Sequence, residues 1–195
     1  MMIRYSITRV RALMVAAAAS TIAIAACSPT DVLEVTDPDI VNPADVESAA
    51  GANAVRVGAL ARFNTATSGG ESLFLLGGLF ADEWVNGDSF IARQEIDQRV
   101  ITVQNNFLTD ANRALHRTRL STEQALELLD RYDSTGPGWQ RAEMHFVQAY
   151  VKNIIGEHYC DGIVFSRVVE GREEYGTPIT TAVAFQQALE HATAG

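Results

Sequence analysis

The chain has 195 residues, 15 Lys and Arg against 24 Asp and Glu, a formal charge of −9 and a mean hydropathy of +0.02. So acidic a surface repels the phosphates of nucleic acid and anionic lipid headgroups, and nucleic-acid binding is not expected. Only two cysteines occur, Cys27 and Cys160.

Arg4, Arg9 and Arg11 precede an apolar run over residues 12–26, with no acidic residue before Asp31. Basic, then apolar, then small is the order of an export signal. Its 15 apolar residues fall short of the roughly 20 that a membrane-spanning helix needs. The run ends in Ile24-Ala25-Ala26-Cys27, which resembles the bacterial lipobox: an aliphatic residue, two small ones, then Cys. The resemblance implies cleavage after Ala26 and a diacylglycerol thioether on the Cys27 sulfur. Each buried methylene contributes about 0.8 kcal/mol, so two or three acyl chains, palmitate among them, hold a protein almost permanently. An ordinary secreted protein with Cys27 in a disulfide, or an uncleaved helix in the membrane, is the competing reading. Cleavage removes three Arg, leaving 12 basic against 24 acidic residues and a formal charge of −12. Attachment through lipid rather than by adsorption follows from that sign.

Residues 27–42 are acidic and Pro-punctuated and read as an extended tether, and residues 43–195 as one helical domain. Asn42 as N-cap and Pro43 at the first helical position predict a helix start. On this first helix Val46, Ala50, Val57, Leu60 and Ala61 share one face at the 3.6-residue period, and fraying is expected over residues 64–70. Residues 71–86 form a second, strongly apolar segment destined for the core, with Gly69-Gly70 and Gly77-Gly78 as simple breakers and residues 87–89 as its end. Residues 90–103 read as irregular, with a short strand possible over 99–103.

A third helix places Phe107, Ala111, Ala114, Leu115 and Thr118 on one face. Ser121 or Thr122 is expected to cap a continuation carrying Ala125, Leu128, Leu129 and Tyr132. After the turn at residues 134–138, Trp139 starts another helix with Ala142, Phe146, Ala149, Tyr150 and Asn153 on one stripe and Val147, Val151 and Ile154 beside it. A helix apolar over so much of its circumference is expected between two neighbours. The last helix runs from about Thr181 to the end, with Val183, Gln187 and Glu190 on one side. The expected architecture is all-α, an antiparallel helical array with long loops.

These features, in this order, resemble the N-terminal part of the SusD/RagB family, lipid-anchored nutrient-binding partners of TonB-dependent transporters. The resemblance rests on the lipidated Cys with its acidic Pro-rich follow-on, the small-residue helix, residues 79–90, and the helix over residues 141–159, similar to the family's tetratricopeptide-type helix. Residues 175–190 resemble the start of its next repeat. It implies a tetratricopeptide-like array, an oligosaccharide or peptide ligand, a SusC-like transporter as partner and residence at the outer membrane. Ser28, rather than Asp, after the lipidated Cys agrees with that destination. Two departures stand out: Cys160-Asp161-Gly162-Ile163 occupies the place of a Gly-Asp-x-Pro pattern, and family members continue well past the equivalent of Gly195, so an incomplete C-terminus is expected. A lipid-anchored scaffold for envelope proteins, without a small ligand, is the alternative.

Signals for catalysis are poor, and no enzyme, cofactor or metal site is expected. Asp82-Glu83 is an acidic pair, but neighbours on a helix diverge by about 100°, so solvated carboxylates are favoured over a glycosidase pair. His145 follows Glu143 without a nucleophile at useful spacing. His158, Cys160 and Asp161 lack the paired ligand spacing of zinc sites, and Cys160 is expected to be buried at a helix end. For ligand binding, Trp84, Asn86 and Asp88 combine a flat aromatic face with planar polar groups where a helix meets a loop, against core packing as the plainer role of Trp84.

Overall fold

In a computed structural model, residues 46–70, 72–169 and 172–195 are described. The expected export signal (1–26), Cys27, the tether (27–42) and the Asn42–Pro43 helix start lie outside the described residues. The elements are α1 (Ala49–Ser68), α2 (Leu73–Phe80), α3 (Ile91–Asp97), α4 (Asn106–Tyr132), α5 (Gly138–His158), β1 (Arg167–Val169), β2 (Arg172–Glu174) and α6 (Thr181–Ala194). Helix dominates, as composition and periodicity predict.

Four helix starts follow one chemistry. Ser48, Ser72, Asn105 and Thr180 each accept the backbone N–H three residues on, at Gly51, Leu75, Leu108 and Val183, which satisfies one of the donors every helix start leaves open. The contacts set helix directions. Arg141 on α5 donates to Asp130 on α4 (2.8 Å), while Gln148 reaches back to the Arg119 carbonyl (2.6 Å), so α4 and α5 run antiparallel. Arg56 and Phe63 of α1 meet Glu143 and Tyr150 of α5 in ascending order, so these two run parallel. α6 descends along α5, with Phe185 beside Gly156 and His191 beside His145. Leu76, Leu115, Leu129, Met144, Val147, Val151 and Ile155 form the centre of the core. β1 and β2 pair antiparallel, Arg167 opposite Glu174, and their described residues are exposed.

Several expectations need correction. α1 buries Ala52, Arg56, Ala59 and Ala66, whereas Ala50, Val57 and Ala61 face outward. Alanine and glycine make α1 weakly apolar all round, so close backbone approach rather than apolar content chooses the face. Nor does α1 fray after Asn64: Thr65, Thr67 and Ser68 return their hydroxyls to the carbonyls of Ala61, Phe63 and Asn64, and the Gly69 N–H closes onto Thr65. Residues 91–97 form α3 instead of an irregular stretch, and 99–103 form no strand. Ser121 and Thr122 interrupt nothing; their hydroxyls bond to carbonyls one turn back (Arg117 and Thr118), inside a single 27-residue α4. On α5 the buried stripe is Met144, Val147, Gln148, Val151 and Ile155, while Phe146 is 59% exposed. On α6, Ala184 and Ala188 are buried and Val183 is not.

Candidate functional site

Where α1, α2, α4 and α5 converge, a cleft of about 270 Å³ opens, lined by Ala66, Thr67, Leu73, Phe74, Gly77, Gly78, Ala81, Glu83, Leu115, Tyr150, Ile154 and His158. Its wall is made by a chain reversal after α2. The N–H groups of Glu83 (2.8 Å) and Trp84 (3.1 Å) both donate to the Gly78 carbonyl. Asp82 takes a left-handed φ of 63° to make that turn, a conformation that Asp tolerates better than most residues. Arg99 holds the turn from outside, pairing with Asp82 and donating to the Phe80 carbonyl (2.9 Å). The indole of Trp84 thereby lies against Gly78, where a Cβ would collide with it. Its centroid is 6.1 Å from that of Phe74.

Gly77 does similar work across the cleft, where a Cβ would sit 3.0 Å from His158 Nε2. The pair Gly77-Gly78 is thus no helix breaker. It lies inside α2 and lets two rings approach the backbone. His158 Nδ1 stands 3.0 Å from the Ile154 carbonyl. A carbonyl only accepts, so Nδ1 carries a proton and donates it. Tyr150 is steered from behind by Phe63, centroids 5.3 Å apart in edge-to-face geometry. The cleft therefore offers aromatic faces, the His158 imidazole and the Glu83 carboxylate within one concavity, the usual make-up of a small-molecule site.

The structure divides the three residues singled out by sequence. Trp84 is 44% exposed and stands with Phe74 beside the cleft. Asn86 and Asp88 instead organise the loop into α3. Asn86 Nδ2 donates to the Asp88 carbonyl (3.2 Å), and the Asn86 N–H reaches Asp97 (3.4 Å). The Asp88 carboxylate accepts the Phe90 N–H (2.8 Å) and pairs with Arg93, which hold its pKa below the usual carboxylate range. Asp82 and Glu83 stand beyond the end of α2, one paired with Arg99 and the other in the cleft wall. Cys160 is exposed rather than buried, because α5 ends at His158 and the chain leaves in extended conformation at Tyr159. Among the described residues no group of three His, Cys, Asp or Glu is placed to hold a metal ion.

A second polar assembly, between α4, α5 and α6, escaped sequence reading. Gln148 Nε2 donates to Thr122 Oγ1 (2.8 Å) as well as to the Arg119 carbonyl. Arg119, 4% exposed, pairs with Glu123 (3.0 Å) and donates to the Ser166 carbonyl. The Phe165 ring packs on both Arg119 (5.3 Å) and Lys152 (5.5 Å). Lys152 Nζ contacts His191 Nε2 (3.0 Å), and His191 Nδ1 contacts His145 Nδ1 (3.0 Å). Burial lowers the pKa of Arg119, and also that of Lys152, where the Arg119 charge adds to it. Burial, then Lys152 and His145, push His191 down to about 4. The available signal was the i, i+4 pairs Thr118/Thr122, Arg119/Glu123 and Gln148/Lys152, which put polar side chains on faces otherwise apolar.

No protein-family model, no curated protein and no solved structure matches the chain.

Proposed function

We propose that the chain is a lipid-anchored binding protein of the SusD/RagB kind, held to the outer membrane through Cys27. In this reading it captures an oligosaccharide or peptide and passes it to a TonB-dependent transporter. The aromatic-walled cleft between α1, α2 and α5 carries the proposal. Phe74 and Tyr150 offer flat faces of the kind on which sugar rings stack, Trp84 stands next to Phe74 beside the cleft, and His158, Glu83 and Thr67 add polar partners at its edge. The antiparallel pair α4–α5, continued by α6, supports a tetratricopeptide-like repeat.

Calorimetric titration of the full chain with a panel of neutral oligosaccharides and short peptides tests the ligand half. Saturable heat from one class, weakened tenfold or more by truncating Phe74, supports capture. Silence across both classes favours the alternative, a lipid-anchored scaffold, for which Phe146 and Trp139, on the flank of α5 beside α1, supply exposed aromatic surface. The anchor is tested separately by fractionating cells that express Cys27→Ser. Release of that variant from membranes, with loss of an acyl mass increment, is the expected result, and undiminished membrane retention refutes the anchor.

A further inference from the structure

The contact chain Lys152–His191–His145 ties α6 to α5 and admits one protonation pattern. While Lys152 carries its proton it can only donate, so His191 Nε2 must present a lone pair. Neutral His191 then carries its proton on Nδ1 and donates to His145 Nδ1. That nitrogen must be bare, which puts the proton of neutral His145 on Nε2. Both imidazoles have to be uncharged for both contacts to exist.

We propose that α6 is an acid-released helix, docked on α5 only while His145 and His191 are both neutral. A proton on His191 Nε2 points an N–H at an ammonium, and a proton on His145 Nδ1 points it at another N–H. Either event turns a 3.0 Å attraction into a 3.0 Å repulsion. The surroundings decide how well the added charge is absorbed. From α5, Lys152 faces His191; from α6, Glu190 does. From α4, Arg119 and Glu123 face Lys152, with the Phe165 ring closing that side. Two carboxylates thus stand against two fixed cations before any histidine is charged, so an imidazolium at His191 finds no unspent counter-ion there, while His145 has Gly195 packed beside it. Burial and the two neighbouring cations already depress His191 to about 4. An unfolded or undocked His191 takes its proton near 6.5. The free segment therefore binds the proton more tightly than the docked one, and docking weakens as pH falls from about 6.5 toward 4.

Beyond those contacts α6 buries Ala184 and Ala188, lays Phe185 against Gly156 and is held at its start by the Thr181 N–H donating to Asp161 (2.7 Å), while Val183 and Leu189 stay largely exposed. Losing the histidine contacts is expected to shift the local equilibrium of α6 while the α4–α5 core stays folded.

Hydrogen exchange of the full chain at pH 7 and pH 5, corrected for intrinsic rates, reads this directly. Protection over 181–194 is expected to drop about tenfold or more at pH 5, while α4 and α5 keep theirs. Equal loss in all three helices, or no loss in α6, overturns the proposal. In His191→Gln, whose amide can accept from Lys152 and donate to His145, only the proton on His145 is left to disturb docking, so the loss of α6 protection from pH 7 to pH 5 is expected to be smaller than in the unsubstituted chain. A drop in that variant as large as in the unsubstituted chain also overturns it. Should His191→Gln fail to dock α6 at pH 7, ring-nitrogen spectra of the unsubstituted chain decide. His191 protonated on Nδ1, His145 on Nε2 and a His191 midpoint below 5 sustain the proposal; any other tautomer pair refutes it.

Discussion

Arg56 on α1 and Glu143 on α5 form an ion pair in which the arginine is almost wholly buried, its side chain 9% exposed against 33% for the carboxylate. Arg56 also donates to Asn53 (3.0 Å) and lies 4.9 Å from the centroid of the Trp139 ring. Removing the carboxylate strands a charge with one neutral acceptor and an aromatic face. Glu143→Ala is expected to destabilise the fold by about 1–3 kcal/mol, below the figure for a fully buried pair because Glu143 still touches water. Urea denaturation checks this, and a midpoint unchanged from the parent refutes it. Arg56→Met with Glu143→Leu should recover most of the loss, since no charge is then left behind.

Gly78 and Trp84 make a second close relationship, in which the indole occupies the place a Cβ would take. Gly78→Ala has to push the ring outward or displace α2, at an expected 1–3 kcal/mol, roughly the range for overpacking. Trp84 should then emit at longer wavelength while Trp139, remote in the fold on α5, does not change. Emission measured in a Trp139→Phe background isolates the effect. An unshifted spectrum with unchanged stability would show that the indole does not rest there.

The helices legible in the sequence were those whose ends are written locally. Thr180 before α6, and the 134–138 turn before α5, hold their own capping or turn chemistry, and both boundaries match expectation. The faces were harder. On α1, alanines surround the helix so evenly that the 3.6-residue period chose Val57, now 51% exposed, over Ala59, fully buried. On α5 the aromatic stripe Phe146–Tyr150 outranked Met144 and Gln148, because a hydropathy pattern cannot foresee that Gln148 satisfies itself on α4. α3 was invisible for a different reason. Its start depends on the Asp88 carboxylate, and Arg93 is drawn to the Gly70 carbonyl 23 positions away (3.1 Å). Of the candidate site, the aromatic Trp84 could be read, but its partner Phe74 and the Gly77–Gly78 platform required the reversal after α2.

Asp88 is the hinge of that loop. Its carboxyl is held below 3.8 by Arg93 first and the Phe90 N–H second. A lowered carboxyl pKa means the native loop prefers the ionised form. Its support is complete above 3.8 and fades as pH falls through the depressed native value. Asp88→Asn should raise hydrogen exchange over 91–97 at neutral pH by several-fold without altering α4. Exchange in α3 equal to that of the parent would show that the carboxylate is not what starts the helix.

Phe74 separates binding from stability. At 70% exposed it has little area to lose on truncation, so Phe74→Ala should cost no more than about 1 kcal/mol of folding free energy. If the cleft takes an oligosaccharide, that ring supplies a stacking face, and its loss should weaken affinity tenfold or more at unchanged denaturation midpoint. Asn86→Ala should behave the other way. Its amide is committed to the Asp88 carbonyl (3.2 Å), so the loop loosens while affinity falls only as far as Trp84 is disturbed. Measuring both quantities for both variants gives a crossed pattern that a purely structural role for the Phe74 ring cannot produce. Equal binding by Phe74→Ala and the parent would remove the cleft from consideration as the ligand site and leave the exposed Trp139 and Phe146 rings of α5 as the surface to test.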